Sequence, residues 1–285
     1  MPGLASHDLE ALRRKIAALE KRPLLAEGAA LVARRMGKAA PAGPGMADPL
    51  ELLAAPRGVL HEVFADEQRQ SGAALGFTLG LARQLLTDER QAILYLQLKG
   101  ETQELGLPYG AGLHQFGVDA AQIIIGRVEN MTELLWAMEE AIACRAVAGV
   151  IADLARHPKA LDFTVSRRLS LRAAAAGTSA FLLRYGRERE ASAAKLRWRI
   201  SPALSGAVEF DPRAPGPPRF LIEIEKGRLG DKTQGAEGRS MLVDWTENGF
   251  ASVEPERHVG APPQRAAPPS RPVAPALGDR LSQAS

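Results

Sequence analysis

The sequence contains the frame of a phosphate-binding loop without the groups that bind phosphate. A β-like run, VLHEVF, leads through EQRQSGAA into an apolar helix, which is where α/β proteins place such a loop. When this loop is aligned with the spacing GxxxxGK[ST], Glu67 stands at the first glycine and Gly72 at the second. Ala73 replaces the lysine, and Ala74 replaces the serine or threonine. We call these four residues the degenerate phosphate loop.

The replacements remove the chemistry of nucleotide binding. The lysine of such a loop neutralises the outer phosphates, and the hydroxyl is a ligand of magnesium. Ala73 and Ala74 supply neither group, and Glu67 adds a negative charge where a polyphosphate would approach. The sequence therefore predicts a protein without catalytic residues, metal or cofactor.

Two strand ends carry weaker candidates for catalysis. The run AILYLQL ends near Gln97, whose side chain can orient a water molecule but is a poor base. Asp153 ends the run VAGVIAD and matches a magnesium-liganding acid after an apolar strand. Because an aspartate at a strand end more often forms a turn or caps a helix, we assign no metal to it.

Arginines and tryptophans are the candidates for contact with nucleic acid. Arg168 and Arg172 are four residues apart on one predicted helix, which also carries Arg167, so they share a face. A solvated helix face is the favoured interpretation of this possible basic face, ahead of a DNA site. Trp136 and Trp198 could stack on bases, but their apolar surroundings favour core positions.

The elements that position these residues follow an alternating pattern. From residue 58 to about 250, short β-like runs alternate with helix-like stretches, which favours an α/β fold with a mainly parallel sheet. The later runs AAKLRWRI, RFLIEIEKGR and RSMLVDW alternate in period two without long helices between them. We expect these runs to be antiparallel strands at one edge of the sheet.

The flanks of this core have a different composition. Residues 1–40 hold a predicted helix and the start of a linker, and the helix carries a seam of Leu9, Leu12, Ile16 and Leu19. This seam is either a possible interaction helix or a helix folded back on its own core. Residues 41–57 are rich in Pro and Gly and predict a flexible linker, and residues 251–285 predict a disordered Pro/Ala/Arg-rich tail.

Bulk properties limit the function classes. A formal net charge of +3 permits contact with DNA but is far from that of a dedicated nucleic-acid binder. No segment reads as a signal peptide or a membrane anchor. The lone cysteine, Cys144, has no partner for an internal disulfide and is expected to be buried in its helix, so we expect a cytoplasmic protein.

The order of these elements resembles a known core. From Gly58 to Trp245 the sequence resembles RecA read through in order, and it most resembles the ImuA family of bacterial SOS mutagenesis proteins. The resemblance is carried by blocks that match in combination: GVLHEVFADEQRQSGAALGFTLGLA, FGVDAAQIIIGRV, the WAMEEA helix and SRRLSLRAAAAGTSAFLLR. One departure is the short connection REREASAA, because RecA carries there a longer mobile loop that touches single-stranded DNA.

The resemblance implies a function without catalysis. It implies an adaptor in SOS-induced translesion synthesis, acting beside ImuB and an error-prone DNA polymerase and contacting RecA. Because RecA places its N-terminal helix on a neighbouring subunit, the resemblance also allows self-association. Two alternatives stay open: a DNA-stimulated ATPase with an unusual phosphate loop, and a cell-division inhibitor of the SulA type.

Overall fold

The described part of the chain covers most of the predicted core. In the computed structural model it comprises residues 49–156, 158–208, 211–229 and 236–253. No helix within these ranges is long and apolar enough to cross a membrane.

Strands and helices alternate over the first part of this region. Six strands precede the connection to the edge hairpins: β1 Leu60–Ala65, β2 Ala92–Leu98, β3 Ile123–Val128, β4 Val147–Leu154, β5 Ser179–Tyr185 and β6 Leu196–Ala203. Five strands follow: β7 Ala207–Val208, β8 Asp211–Pro215, β9 Arg219–Gly227, β10 Ser240–Thr246 and β11 Gly249–Ser252. The α-helices are α1 Pro49–Leu52, α2 Ser71–Arg83, α3 Thr102–Leu105, α4 Gly110–Gln115, α5 Met131–Ala143 and α6 Phe163–Ala176. Short 3-10 turns lie at Gln68–Gln70, Lys99–Glu101 and Ala120–Gln122.

Nine strands form one mixed sheet. Their order is β11-β10-β9-β6-β1-β5-β4-β2-β3, and β7 pairs with β8 separately. The six strands from β6 to β3 in this order are parallel to one another, whereas β9, β10 and β11 are antiparallel additions beside β6. The predicted α/β core, with a mainly parallel sheet and antiparallel edge strands, is confirmed.

Helix α2 lies on one face of this sheet against an aromatic cluster. The cluster includes Phe77, Phe116, Phe220, Trp245 and Phe250, with ring centroids 5.0 to 6.4 Å apart. The rings reach the helix because two helical positions are glycine. A Cβ added at Gly76 would lie 2.4 Å from Phe116, and one added at Gly80 would lie 2.6 Å from Phe250.

A histidine is buried in β1 on the side of α2. His61 is stacked on Phe181 at 4.6 Å, and its Nδ1 accepts a hydrogen bond from Trp198 Nε1 at 3.2 Å. Its Nε2 is buried without a hydrogen-bond partner among the described residues. Burial lowers the pKa of His61 from 6.5 to about 3, so the ring is neutral in the folded protein.

Helices α5 and α6 cover the opposite face, and both have defined ends. Asn130 caps α5 by accepting from the Glu133 amide at 3.0 Å, and Asp162 caps α6 by accepting from the Val165 amide at 2.8 Å. Gly177 ends α6 in a left-handed conformation, with φ of 65°.

The flanking predictions lie mostly outside the described residues. Leu9, Leu12, Ile16 and Leu19 lie outside them, as do residues 254–285 of the predicted tail. Within the predicted linker, α1 forms at residues 49–52, and Leu52, Leu53 and Ala55 are buried against the core because the run LELLA is apolar. At the other end, residues 251 and 252 belong to β11. The domain boundaries stay predictions.

Candidate functional site

The carboxyl ends of four parallel strands bring the candidate residues to one edge of the sheet. The degenerate phosphate loop follows β1, Gln97 lies at the end of β2, and Asp153 lies at the end of β4. Tyr185 is the last residue of β5, which lies between β1 and β4. Ligand sites of open α/β sheets lie at this edge, so the contacts of its polar groups decide whether a ligand can bind there.

The backbone of the phosphate loop is committed to an internal turn. The Gln70 amide donates to the Glu67 carbonyl at 2.9 Å, and the Ser71 amide donates to the Gln68 carbonyl. A phosphate-binding loop instead points consecutive amides at the anion. The Glu67 carboxylate is half-exposed and forms an ion pair with Arg69. These amides are therefore not directed at a ligand.

The two alanines of this loop belong to the apolar packing of α2. Ala74 is 0% exposed within the core, and Ala73 packs against the same cluster. The hydroxyl of Thr78, one turn further along, donates to the Ala74 carbonyl at 2.8 Å. The positions of the lysine and the hydroxyl thus carry methyl groups that face protein.

Asp153 is held by two tyrosines. Its Oδ2 accepts from the Tyr95 hydroxyl at 2.6 Å, and its Oδ1 accepts from the Tyr185 hydroxyl at 2.7 Å. The carboxyl group is 3% exposed, and burial raises its pKa from 3.8 to about 6 although both hydroxyls favour the ionised form. Burial and the neighbouring Asp153 also raise the pKa of each tyrosine.

This triad joins three strands. Tyr95 belongs to β2 and Tyr185 to β5, the two strands that flank β4. Each Asp153 oxygen accepts one hydrogen bond from a tyrosine, and the side chain is 3% exposed, so the triad fixes the carboxylate within the sheet. The sequence analysis assigned no metal to Asp153, but it did not identify Tyr95 and Tyr185 as its partners. These residues meet only because β2 and β5 flank β4 in the sheet.

Gln97 and Glu101 fix the segment that follows β2. Gln97 is 0% exposed and donates from Nε2 to the Gly106 carbonyl at 3.1 Å and to the Tyr95 hydroxyl at 3.3 Å. Its Oε1 is buried without a partner among the described residues. The Glu101 carboxylate accepts from the Ala155 amide at 2.8 Å, and burial raises its pKa. Both side chains therefore form hydrogen bonds with the backbone of neighbouring segments, at Gly106 and at Ala155.

The connection after β5 is bound down by a buried carboxylate. Glu62 of β1, 1% exposed, accepts from Ser192 at 2.7 Å and from Arg197 Nε at 2.8 Å, and it lies 3.4 Å from Arg184. The Arg197 guanidinium also donates to the Glu190 carbonyl at 2.9 Å. This segment is where the sequence predicted a short replacement for a mobile DNA loop.

We call Glu62 and its partners Ser192, Arg184 and Arg197 the latch, and the ring of Phe64 adds contacts with its arginines. The centroid of Phe64 lies 3.9 Å from the Arg189 guanidinium carbon, 4.9 Å from that of Arg184 and 5.5 Å from that of Arg197. Arg189 is also paired with Glu225 at 2.7 Å. The guanidinium groups of Arg184, Arg189 and Arg197 therefore lie against the ring of Phe64.

Two open cavities at the same edge have linings of mixed charge. One has a volume of about 310 Å³ and is lined by Asp66, Arg187, Arg189, Arg199 and Glu225. The other has a volume of about 340 Å³ and is lined by Phe64, Arg184, Tyr185, Gly186, Arg187, Glu188 and Glu190. Since acids accompany the arginines in both linings, neither cavity presents the one-sided positive field that concentrates polyphosphates.

The two candidate arginines lie on α6, on the face of the sheet opposite α2. Arg168 Nε lies 2.6 Å from Glu139 of α5, and Arg172 lies 3.1 Å from the same carboxylate. Their shared face is present, but Glu139 offsets part of its charge. Trp198 is fully buried as predicted, whereas the core position predicted for Trp136 is wrong, since this residue is 66% exposed. The predicted burial of Cys144 is also wrong, because it is exposed just after α5.

Comparison with known proteins gives relatives of one name. Models of protein families give no match. Two curated relatives called Protein ImuA, from Caulobacter vibrioides strains NA1000 / CB15N and ATCC 19089 / CIP 103742 / CB 15, are each 32% identical over 187 residues. The alignment covers 61% of this chain and 72% of each relative.

A solved structure is similar at a greater distance. The crystal structure of the RadB recombinase matches with a TM-score of 0.44 and 15% identity, over 72% of this chain and 96% of that one. A likeness at this score supports no conclusion about function.

Proposed function

Because this chain belongs to the ImuA family, we infer an accessory role in SOS mutagenesis, and we propose that the protein acts there as a non-catalytic adaptor. In this proposal the RecA-like core supplies surfaces instead of nucleotide chemistry. It acts in the cytoplasm, in DNA repair by translesion synthesis. ImuB and RecA are the proposed direct partners, an error-prone DNA polymerase is an indirect one, and contact with DNA is weak or indirect.

The observation that carries the non-catalytic part is the state of the carboxyl edge. Ala74 is buried where a magnesium-binding hydroxyl would stand, and both oxygens of Asp153 accept from tyrosines. Neither a phosphate cation nor a free metal-binding acid stands at the positions that an ATPase would use. The competing ATPase function would need a cation and a hydroxyl brought from elsewhere.

The test is calorimetry of the full chain with ATP and magnesium. We expect no affinity tighter than about 1 mM. Micromolar binding that is lost in Gly72→Asp but kept in Gly100→Asp would overturn the non-catalytic proposal. The two glycines are matched, because a Cβ at either position meets nothing within 4 Å.

A second part of the proposal concerns the predicted interaction helix. The helix has a seam of Leu9, Leu12, Ile16 and Leu19. Burial of these four aliphatic side chains against a partner could contribute about 6 kcal/mol to binding before entropic costs. The double variant Leu12→Asp, Ile16→Asp should weaken binding to ImuB, to RecA or to a second copy while the melting of the core stays near wild type. Unfolding of the variant would mean instead that the helix belongs to the core.

A further inference from the structure

The nine-stranded sheet ends on an apolar strand. Strand β3 is last in the strand order, and among the described residues it pairs only with β2. We propose that two copies of this chain pair through β3, antiparallel and about a twofold axis at Ile125, so that their sheets join and the dimer presents every other surface twice. This inference goes beyond the proposed adaptor function and does not depend on it. We call residues 123–128 the β3 edge.

The β3 edge lacks the features that keep sheet edges apart. Edge strands are usually protected by proline, by lysine, by a bulge or by a covering segment. This strand reads IIIGRV, and its register with β2 runs without a bulge from Ile123 to Val128. Ile124 is 54% exposed and Ile125 is 40% exposed. The outward N–H and C=O groups of such a strand are matched best by another extended strand.

The two exposed isoleucines project to opposite faces of the sheet. Ile123 packs against the core cluster on the α2 side, and Val128 packs against the cluster on the α5 side. Because side chains alternate along a strand, Ile125 lies on the α2 side, whereas Ile124 and Gly126 lie on the α5 side. A strand added in the plane of the sheet covers both isoleucines, whereas a helix laid on one face would cover only one.

The α5 side of β3 holds both halves of a complementary contact. Gly126 has no side chain, and Leu96 of β2 extends over it, since a Cβ added at Gly126 would lie 2.7 Å from Leu96 Cδ2. A residue directly opposite this glycine on an added strand can therefore be large and can pack beside apolar surface. Ile124, two residues before Gly126, is a large side chain that is mostly exposed.

Twofold symmetry brings these two positions together, which favours a second copy over any other strand. In an antiparallel pair with its axis at Ile125, Ile124 of each copy stands directly opposite Gly126 of the other, and Ile125 stands opposite its own equivalent. The same strand thus supplies the large side chain and the position that accepts it, at the spacing that the symmetry requires. Such self-complementarity is the condition for an isologous interface.

The charge of the β3 edge favours the same register. Arg127 is exposed, and in the register centred on Ile125 it stands opposite Ile123 of the second copy. The two Arg127 side chains are then offset by four residues, roughly 13 Å along the strands, which exceeds the screening length of about 8 Å at physiological salt. A register centred on Gly126 would offset them by only two residues, at a diagonal of about 7–8 Å. Repulsion therefore disfavours that alternative.

Sedimentation velocity of the full chain, from about 1 μM to about 100 μM, measures self-association. We expect a monomer–dimer equilibrium within this range. Ile124→Lys should weaken the dimer at least tenfold, at about 1.4 kcal/mol per factor of ten, because a lysine on an edge strand opposes pairing. The matched control is Leu204→Lys, after β6, because Leu204 is also 54% exposed. This control should leave the dimer unchanged.

Cysteine cross-linking of the full chain tests the register. A Cys144→Ser background removes the one natural cysteine. In that background Ile125→Cys places two thiols opposite each other across the axis, within the distance that a disulfide can bridge. Mild oxidation should give a covalent dimer of this variant. Arg127→Cys is the register control and should give far less, because its two thiols are offset by roughly 13 Å along the strands.

Four results would overturn pairing through β3. The first is a wild-type chain that stays monomeric at about 100 μM, and the second is a folded Ile124→Lys that dimerises like wild type. The third is equal cross-linking of Ile125→Cys and Arg127→Cys, which would indicate random collision. The fourth is a dimer that is lost only in Leu12→Asp, Ile16→Asp, which would assign self-association to the predicted N-terminal helix. If Ile124→Lys fails to fold by circular dichroism, the cross-linking pair decides.

Discussion

The carboxyl edge of the sheet and the outer surface of α5 and α6 differ in how far their side chains are buried. At the edge, Asp153, Gln97 and Glu62 are nearly or fully buried and hold neighbouring strands and loops. On the helices, Trp136 and Leu171 are mostly exposed and satisfy nothing inside the protein. Side chains that are buried and paired contribute to folding, whereas exposed apolar side chains can be replaced with little loss of stability.

This contrast leads to different expectations for stability. Substitutions at the carboxyl edge should lower the unfolding free energy, whereas substitutions at the exposed residue Trp136 should leave it nearly unchanged. We expect the largest loss at Glu62, which is 1% exposed.

Glu62→Ala should destabilise the protein most, by about 3–5 kcal/mol, because it leaves buried guanidinium groups without their carboxylate. The side chains of Arg184 and Arg197 are 6% and 13% exposed. Denaturant unfolding followed by circular dichroism measures the change, with Glu140→Ala as the control at an exposed acid. A loss below about 1 kcal/mol would mean that the latch contributes little to folding.

The pH dependence of unfolding should reveal two interior groups with opposite effects. The pKa of His61 falls from 6.5 to about 3 on folding, so its contribution is fully present above pH 6.5 and is lost as the pH falls. The pKa of Asp153 rises from 3.8 to about 6, so its contribution is fully present below pH 3.8 and is lost as the pH rises through 6. Between pH 3.8 and about 6, His61 makes the unfolding free energy rise with pH and Asp153 makes it fall, so the two effects oppose each other.

The variant Asp153→Asn should show the pH dependence of unfolding that arises from His61 alone. With the carboxyl group removed, unfolding free energy should fall by about 2–3 kcal/mol between pH 6.5 and pH 4.5, at about 1.4 kcal/mol per pH unit. The double variant His61→Phe, Asp153→Asn should lose that pH dependence. Urea titrations at four pH values measure it, and an unchanged profile in Asp153→Asn would contradict the assignment.

Tyr185→Phe should have a smaller effect, of about 1–2 kcal/mol, because it removes one donor from a buried carboxylate that keeps its bond to Tyr95. It should also raise the pKa of Asp153 further, since a hydroxyl that favours the ionised form is lost. The matched control is Tyr109→Phe, at a tyrosine 77% exposed. Equal unfolding curves for Tyr185→Phe and Tyr109→Phe would mean that the hydrogen bond from Tyr185 to Asp153 does not stabilise the protein.

The sequence predicts what depends on local pattern and composition. Alternation of strand and helix was enough for the parallel sheet and its antiparallel edge, and the missing lysine and hydroxyl were visible at Ala73 and Ala74. The triad could not be predicted, because Tyr95, Asp153 and Tyr185 meet only when β2 and β5 flank β4. The exposure of Trp136 was missed for a related reason: its helix is apolar on two sides, and the sequence does not say which side meets the sheet.

The smallest effect on folding should come from Trp136→Ser, and this makes it the sharpest test of the contrast. A side chain that is 66% exposed gives up little buried area when it is removed, so the unfolding free energy should change by no more than about 0.5 kcal/mol. The helix should also keep its cap, because Asn130 and Glu133 are untouched. Thermal melting of the variant beside Trp198→Ser, which removes a fully buried ring, separates the two regions in one experiment. If Trp136→Ser melts as early as Trp198→Ser, the side chain of Trp136 is packed against another part of the folded protein, and the contrast between the buried edge and the exposed surface of α5 does not hold.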